Sequence, residues 1–398
     1  MLTTTEALDR VLAAMPELSV ESVALRAVDG RVLRQVVEAE RDQPPFHRVM
    51  MDGIAISHTD FANGLRQFPI LGTQMAGEAA VTLQPGSCIE IMTGASLPVN
   101  ADCIIPVERI SVSDGMAILE DGYAAVAQQF IHPRASDHAA GSQLLAPGKL
   151  VSAMDIAVIA SAGLTHVDVS RSPVVRVIST GNELVAAGEA IEPHQVRLSN
   201  GPAIQALLAQ HGYPDCEHDH LLDERAVLRE RIAGHLNEAD VVILSGGVSM
   251  GKADFVPEVL AELGVKKHFH RVSQRPGKPM WFGTGPDGQA VFALPGNPVS
   301  ALVCCRHYVI PALARASARS TATPEFAALA ADVTFKPELT CFQPVRLISN
   351  AVGQVLAMPV KTNTSGDFTA LSGSDGYVEL VLGQSQFPSG TSVFLHRW

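Results

Sequence analysis

Four short turns hold most of the chemistry in this 398-residue sequence. Ser179-Thr180-Gly181-Asn182-Glu183 follows an apolar run at 174–178, and Gly246-Gly247-Val248-Ser249-Met250-Gly251 follows another at 241–244. Pro295-Gly296-Asn297-Pro298 follows a third at 290–294 and opens onto a helical stretch at 299–313. Glycine lets a backbone come close to an anion, and a helix start behind it offers N–H groups and a favourable dipole. The fourth turn, Arg275-Pro276-Gly277-Lys278-Pro279, sets two cations on a backbone restricted by flanking prolines, which helps aim a point charge at an oxyanion. Together they point to a site for a phosphorylated ligand. Glu183 stands beside that phosphate edge, where a carboxylate holds a metal or activates water. Asp254 lies where a helix begins and is equally accounted for by the helix dipole. Asp223 and Glu224 start a helix and read first as N-caps. His218, Asp219 and His220 lack the partner spacing of a metal site and read as a solvated loop.

These turns need a sheet that presents them on one edge. From 173 to 315 the pattern repeats strand, glycine turn and helix, as in a doubly wound α/β domain, with helices expected at 201–211, 224–236 and 255–263. In such a sheet the turns line up at the carboxyl edge, where ligands bind. An amphipathic helix opens the chain, with Leu2, Ala7, Leu8, Val11 and Leu12 at helical spacing. Asp42-Gln43-Pro44-Pro45-Phe46 is an extended break. Beyond it, short β-prone runs at 54–56, 88–92, 103–106 and 116–119 alternate with turns, as in a small β-rich domain. Within that region, Met51-Asp52-Gly53 and Met92-Thr93-Gly94-Ala95 each set a small polar or acidic group beside a glycine, as a cleft wall or an ordinary turn would. Asp137, ahead of Ala140-Gly141, is equally open. A helix at 153–162 and strands at 330–335, 345–348, 355–359, 377–382 and 392–395 complete the reading, the last group as a small β-barrel or sandwich.

The fold class is therefore multidomain α/β. Residues 1–43 and 141–172 form an N-terminal mixed domain and 44–140 an inserted β-rich domain. Residues 173–320 form the doubly wound domain and 321–398 the C-terminal β domain. A net charge of -12 argues against a general nucleic-acid surface. The six cysteines form no CxxC pair and read as buried free thiols of a reducing compartment. With no signal-peptide pattern and no membrane-length apolar run, a cytoplasmic location is expected.

Taken in order, these segments resemble the molybdopterin molybdenumtransferase family, the MoeA proteins and the gephyrin E domain, over nearly the whole length. The resemblance rests on Pro45-Phe46 with Met51-Asp52-Gly53, Ile91-Met92-Thr93-Gly94-Ala95 with Pro98 and Ala101-Asp102, and Ser179-Thr180-Gly181 with Glu183. It continues through Ser245-Gly246-Gly247-Val248-Ser249 with Gly251 and Asp254, Pro276-Gly277-Lys278-Pro279, and Leu294-Pro295-Gly296-Asn297-Pro298-Val299-Ser300-Ala301. It implies an enzyme that inserts molybdenum from molybdate into adenylylated molybdopterin, releases AMP and uses Mg²⁺. It also implies a homodimer whose cleft joins the α/β domain of one subunit to the β-rich domain of the other. Asp52 and Thr93 would lie on the β-rich wall, with Asp137 near the entrance. Glu183, Glu224, Asp254 and Lys278 would lie on the α/β wall, the three carboxylates holding the metal. Gly246, Gly247, Ser249, Gly251, Arg275, Pro295, Gly296 and Asn297 would bind substrate. Transient contacts with the molybdopterin adenylyltransferase and with molybdoenzyme apoproteins are implied too. The chain departs from the family pattern at Val49, Asn182 and Asp367, which frames an alternative: a paralogue that binds molybdopterin or a related nucleotide without turnover.

Overall fold

The computed structural model describes residues 1–247, 255–362 and 364–398. Two compact units emerge: residues 35–146 with 153–166, and residues 1–34 with 147–152 and 167–398.

In the smaller unit, six strands form one sheet in the order Cys103–Pro106, Gly53–Ile56, Cys88–Ile91, Gln67–Gln74, Met116–Leu119, Ile110–Ser113. All four residues of Gly53–Ile56 are buried, because the sheet is covered on both faces. Ile54, Ile56, Phe68 and Ile105 pack on one side, and Val49, Ala55, Ile89 and Ile104 on the other. Val49, the departure noted in sequence, is 1% exposed and pairs with Ile131. It therefore serves this core rather than a surface. The helix expected at 153–162 runs from Ala153 to Ser161.

The larger unit holds a six-stranded sheet whose strands are β1 (Val175–Thr180), β2 (Cys216–Leu221), β3 (Val241–Ser245), β4 (Lys266–His270), β5 (Trp281–Thr284) and β6 (Ala290–Leu294). Their order is β2-β1-β3-β6-β5-β4. β2, β1, β3 and β6 pair in parallel, and β5 pairs antiparallel with both β6 and β4, so β5 alone runs against the rest. Helices α1 (Asn200–Gln210), α2 (Arg225–Glu238), α3 (Val256–Glu262), α4 (Pro298–Cys304) and α5 (Ile310–Ala316) cover both faces. The strands β3 and β6 are buried throughout, so they read as unbroken apolar runs rather than alternating ones. On one face Leu228, Ile232, Val259 and Leu260 of α2 and α3 meet Ile178, Val242, Leu244 and Val291. On the other, Ile204, Leu208, Ala301 and Leu313 of α1, α4 and α5 meet Val177, Ile243 and Phe292.

The helix expected at 299–313 is one helical run interrupted by a π segment, Cys305–Val309, between α4 and α5. The N-terminal helix Thr4–Ala14 begins in a Thr3/Glu6 capping box and buries Ala7 and Val11 in this same core.

Five C-terminal strands, Glu325–Leu329, Thr340–Ser349, Val355–Pro359, Gly376–Leu380 and Ser392–Arg397, pair around a closed ring, a small β-barrel. The strand expected at 330–335 begins earlier, at Glu325, because 325–328 pair with 392–395. Only Val333–Thr334 is extended beyond it, paired with Gln386–Phe387. All six cysteines are free and buried. No helix among the described residues is long and apolar enough to cross a membrane.

Candidate active-site groove

The parallel register Ser179↔Ser245↔Leu294 brings the three glycine turns to one sheet edge. Gly246 (φ +106) follows β3 so closely against β1 that a Cβ there would lie 2.6 Å from Thr180 O. Only glycine fits that approach. A polar lattice ties the edge together. Asn200 Nδ2, from α1, donates to Ser245 Oγ at 2.9 Å and to Gly296 O at 2.8 Å. Ser179 Oγ lies 3.0 Å from His218 Nε2, and His220 Nε2–H donates to Gly181 O at 2.9 Å. His218, Asp219 and His220 are thus residues of β2, not a solvated loop. Asp219 is engaged by Arg231 at 2.6 Å and His235 at 2.8 Å. Alternation along the strand sends the two histidines to the same side, where the turns need partners.

Over this edge lies a groove of about 1030 Å³, walled by the sheet edge on one side and the barrel on the other. Of the residues singled out in sequence, Glu183, Gly246, Gly247, Arg275, Lys278, Pro295, Gly296 and Asn297 line it. Glu224 does not: it is the N-cap residue of α2 but makes no side-chain cap bond. Its neighbour Asp223 lines the groove instead, held by its own N–H donating to Asn182 Oδ1 at 3.0 Å. Asn182 therefore supports the carboxylate beside Glu183 where sequence showed only a missing charge. Ser249, Gly251 and Asp254 lie outside the described residues.

The Pro295-Gly296-Asn297-Pro298 turn is not an open anion cradle as sequence suggested. The barrel's 364–366 loop occupies it: Val299 N–H donates to Ser365 O at 3.1 Å, and Asn297 Nδ2 donates to Ser365 Oγ at 2.7 Å. Ser365, Gly366 and Phe368 thereby become groove wall, joined by Phe335 and Leu339. In sequence, residues 364–367 stand out only as a stretch departing from the family pattern at Asp367, and Phe335 only as the end of an expected strand, so none of these is placed on the ligand surface. Asp367 is not part of the lining; its carboxylate accepts from Thr369 Oγ1 at 2.8 Å. The added charge is turned into the local loop rather than onto the ligand surface.

Arg275 and Lys278 project from a turn fixed on its buried side. Gly277 sits at φ +88, and a Cβ there would lie 2.4 Å from Cys304 Sγ. Beneath it, fully buried Gln274 donates from Nε2 to Pro276 O at 3.3 Å and to Gly277 O at 3.2 Å, and its Oε1 accepts from the Tyr308 hydroxyl. The groove thus carries both the cations Arg275 and Lys278 and the carboxylates Glu183 and Asp223 on its lining, an arrangement suited to an anionic ligand with a counter-ion. Among the described residues no group of three His, Cys, Asp or Glu side chains forms a ready metal cage.

In the smaller unit, Asp52 Oδ1 accepts from Thr93 N at 2.6 Å and Thr93 Oγ1 at 2.7 Å. Those two bonds hold its carboxyl below the usual carboxylate range. The two residues that sequence placed on one wall are therefore a bonded pair. Asp137 Oδ1 lies 3.1 Å from His132 Nε2, and His132 Nδ1 lies 3.0 Å from an Arg48 nitrogen.

Comparison with known proteins accounts for every part of the chain. Residues 2–163 match the family model for the MoeA N-terminal region, domains I and II. Residues 176–315 match that for a probable molybdopterin binding domain, and 327–398 that for the MoeA C-terminal region, domain IV. A molybdopterin molybdenumtransferase from Synechocystis is 37% identical over 401 residues, covering 100% of both chains. One from Bacillus subtilis is 29% identical, covering 98% of this chain and 92% of its own. A molybdopterin biosynthesis MoeA protein from Pyrococcus horikoshii superimposes with a TM-score of 0.83 at 29% identity, covering 100% of this chain and 99% of that one.

Proposed function

Since this chain belongs to the MoeA family, we propose that it transfers molybdenum from molybdate into adenylylated molybdopterin and releases AMP, as a step of molybdenum cofactor biosynthesis. The observation that carries this reading is the groove itself. Its ligand must be anionic, to use Arg275 and Lys278, and extended, to fill about 1030 Å³ between the sheet edge and the barrel.

In this reading the turn at Gly246-Gly247 receives the pterin phosphate, while Lys278 and Arg275 bind molybdate or the adjoining phosphate oxygens. A molybdate oxygen then attacks the adenylyl phosphorus and the pterin phosphate leaves. The two dithiolene thiols next displace AMP, which carries off that oxygen, and a second oxo ligand, which leaves as water with the two thiol protons. Molybdenum keeps its oxidation state, and positioning and charge stabilise each displacement without a covalent enzyme intermediate. Mg²⁺ suits the donors present, because it binds through one or two carboxylates plus substrate phosphates and water rather than a protein cage. Glu183 and Asp223, with Asp254, would hold it, where it would neutralise pyrophosphate charge.

We further propose a homodimer in the cytoplasm, with the Asp52–Thr93 pair, and Asp137 near the entrance, supplied to the groove by the second subunit. Product would pass to molybdoenzyme apoproteins and substrate arrive from the adenylyltransferase by transient contacts. The test is AMP release from adenylylated molybdopterin with Mg²⁺, followed by chromatography with and without molybdate. Molybdate-dependent release is expected, and its loss in Glu183→Ala. Tight binding of the pterin nucleotide without any release would overturn the reading.

A further inference from the structure

We propose that Gln274 and Tyr308 are positioning residues for Lys278: a buried clasp that fixes the cationic turn and so sets the anion affinity of the groove. This inference rests on the proposed role of Lys278. The turn has an unusual shortage of backbone donors, because Pro276 and Pro279 carry no N–H. Gly277 O accepts from Met280 N–H at 3.1 Å, but the part-buried Pro276 O has no backbone donor in the turn and must find one elsewhere.

The Gln274 carboxamide supplies that donor. Its Nε2 reaches both Pro276 O and Gly277 O, and it also lies 3.3 Å from Cys304 Sγ. A carboxamide can flip, and a flipped one would set its oxygen against those carbonyls. The two carbonyls, which can only accept, exclude that orientation, and the Tyr308 hydroxyl, donating to Oε1, anchors the carboxamide from its other end. Both side chains are 0% exposed, so the network is dry and every member counts.

Tyr308 reaches this point from the π segment Cys305–Val309, and π segments recur where helices present functional side chains. The far side of the turn is pinned too, with Val272 N–H donating to Lys278 O at 3.0 Å. The backbone of residues 275–278 is therefore held from beneath, and the Lys278 side chain starts from a fixed origin on the groove wall.

The experiment measures molybdate affinity of the full-length chain by calorimetry, which needs no turnover, for Tyr308→Phe, Gln274→Met, Lys278→Ala and the double variants with Lys278→Ala. Thermal denaturation of each is recorded in parallel. Tyr308→Phe removes one oxygen and keeps the ring, so it decides the matter if Gln274→Met does not fold. The expected result is a rise in Kd on the order of tenfold for Tyr308→Phe, since misplacing a charge by an ångström has effects of that size or more. In the Lys278→Ala background the same substitution should leave Kd unchanged. An equal loss in both backgrounds would overturn the clasp. So would an unchanged Kd for Tyr308→Phe where Lys278→Ala alone weakens binding. If Lys278→Ala itself leaves Kd unmoved, the role of Lys278 fails, and the inference with it.

Discussion

His307 should make this protein acid-labile over a defined pH window. The side chain is fully enclosed between the π segment and the barrel, with Nδ1 3.1 Å from the Tyr377 hydroxyl and its ring 4.5 Å from that of Phe342. Burial, with His396 and Arg306 adding positive neighbours, pushes its pKa from 6.5 down to about 3, against a smaller opposing pull from Glu379. The folded chain thus excludes a proton that the unfolded chain binds between those two values. Stability is therefore full above pH 6.5 and lost progressively as pH falls towards 3. At 1.36 kcal/mol per pH unit, a fall from 6.5 to 4 removes roughly 3 kcal/mol from this residue alone, a large share of an ordinary domain's stability. His307→Gln keeps a neutral hydrogen-bonding group and abolishes the titration. Urea denaturation at pH 7, 6, 5 and 4, followed by the fluorescence of the two tryptophans, Trp281 and Trp398, the latter with its ring 5.3 Å from Tyr377, measures the effect. The wild-type midpoint should fall steeply below pH 6.5 and that of His307→Gln should fall less. Parallel curves for the two proteins would refute the reasoning.

Gly277→Ala forces a left-handed φ on alanine and a methyl onto Cys304. It should cost about 1–2 kcal/mol for the backbone and about 1–3 kcal/mol for overpacking, read from denaturation midpoints, together with weaker molybdate binding. Glu183 is exposed on the groove wall, so Glu183→Ala should abolish AMP release while shifting the thermal midpoint by no more than a degree or so, within roughly 0.5 kcal/mol. Mixed dimers of Asp52→Asn and Lys278→Ala subunits should regain AMP release that neither parent shows, because one of the two clefts is restored; a mixture as inactive as its parents would rule out shared clefts. Burial pushes Cys88, Cys103, Cys304 and Cys341 up to about 12, and Cys216 and Cys305 also upward. A thiol reagent at pH 7.5 should therefore leave the native chain unlabelled and modify all six cysteines in urea.

The doubly wound core was legible because its physics is local. Buried parallel strands leave unbroken apolar runs at 241–244 and 290–294 and one interrupted only by Arg176 at 175–178, and each must stop at a turn whose glycine the sequence displays. Strand 325–329 was not, since Glu325-Phe326-Ala327-Ala328-Leu329 carries weak β propensity and is extended by its partner at 392–397. For the site, Glu183, Arg275 and Lys278 were visible as charges beside turns. Asp223 and Glu224 could not be told apart, since a helix start aims neighbouring side chains differently and only the Asn182 contact selects between them. The barrel's share of the groove was not placed, although the stretch at Asp367 stood out, because Ser365 meets the Asn297 turn across nearly seventy residues of chain.

The short strand Gln274–Arg275 pairs in parallel with Thr340–Cys341 of the barrel. The last domain is therefore stitched into the middle of the preceding one by main-chain bonds, and is no removable appendage. A chain cut after residue 320 would leave the 274–275 backbone as a naked edge and strip from Val299 and Val303 the apolar cover of Phe342, Leu371 and Tyr377. Such a fragment would recruit a foreign strand before it recruited a substrate. Engineering of this chain by domain exchange must move residues 321–398 together with the strand that receives them.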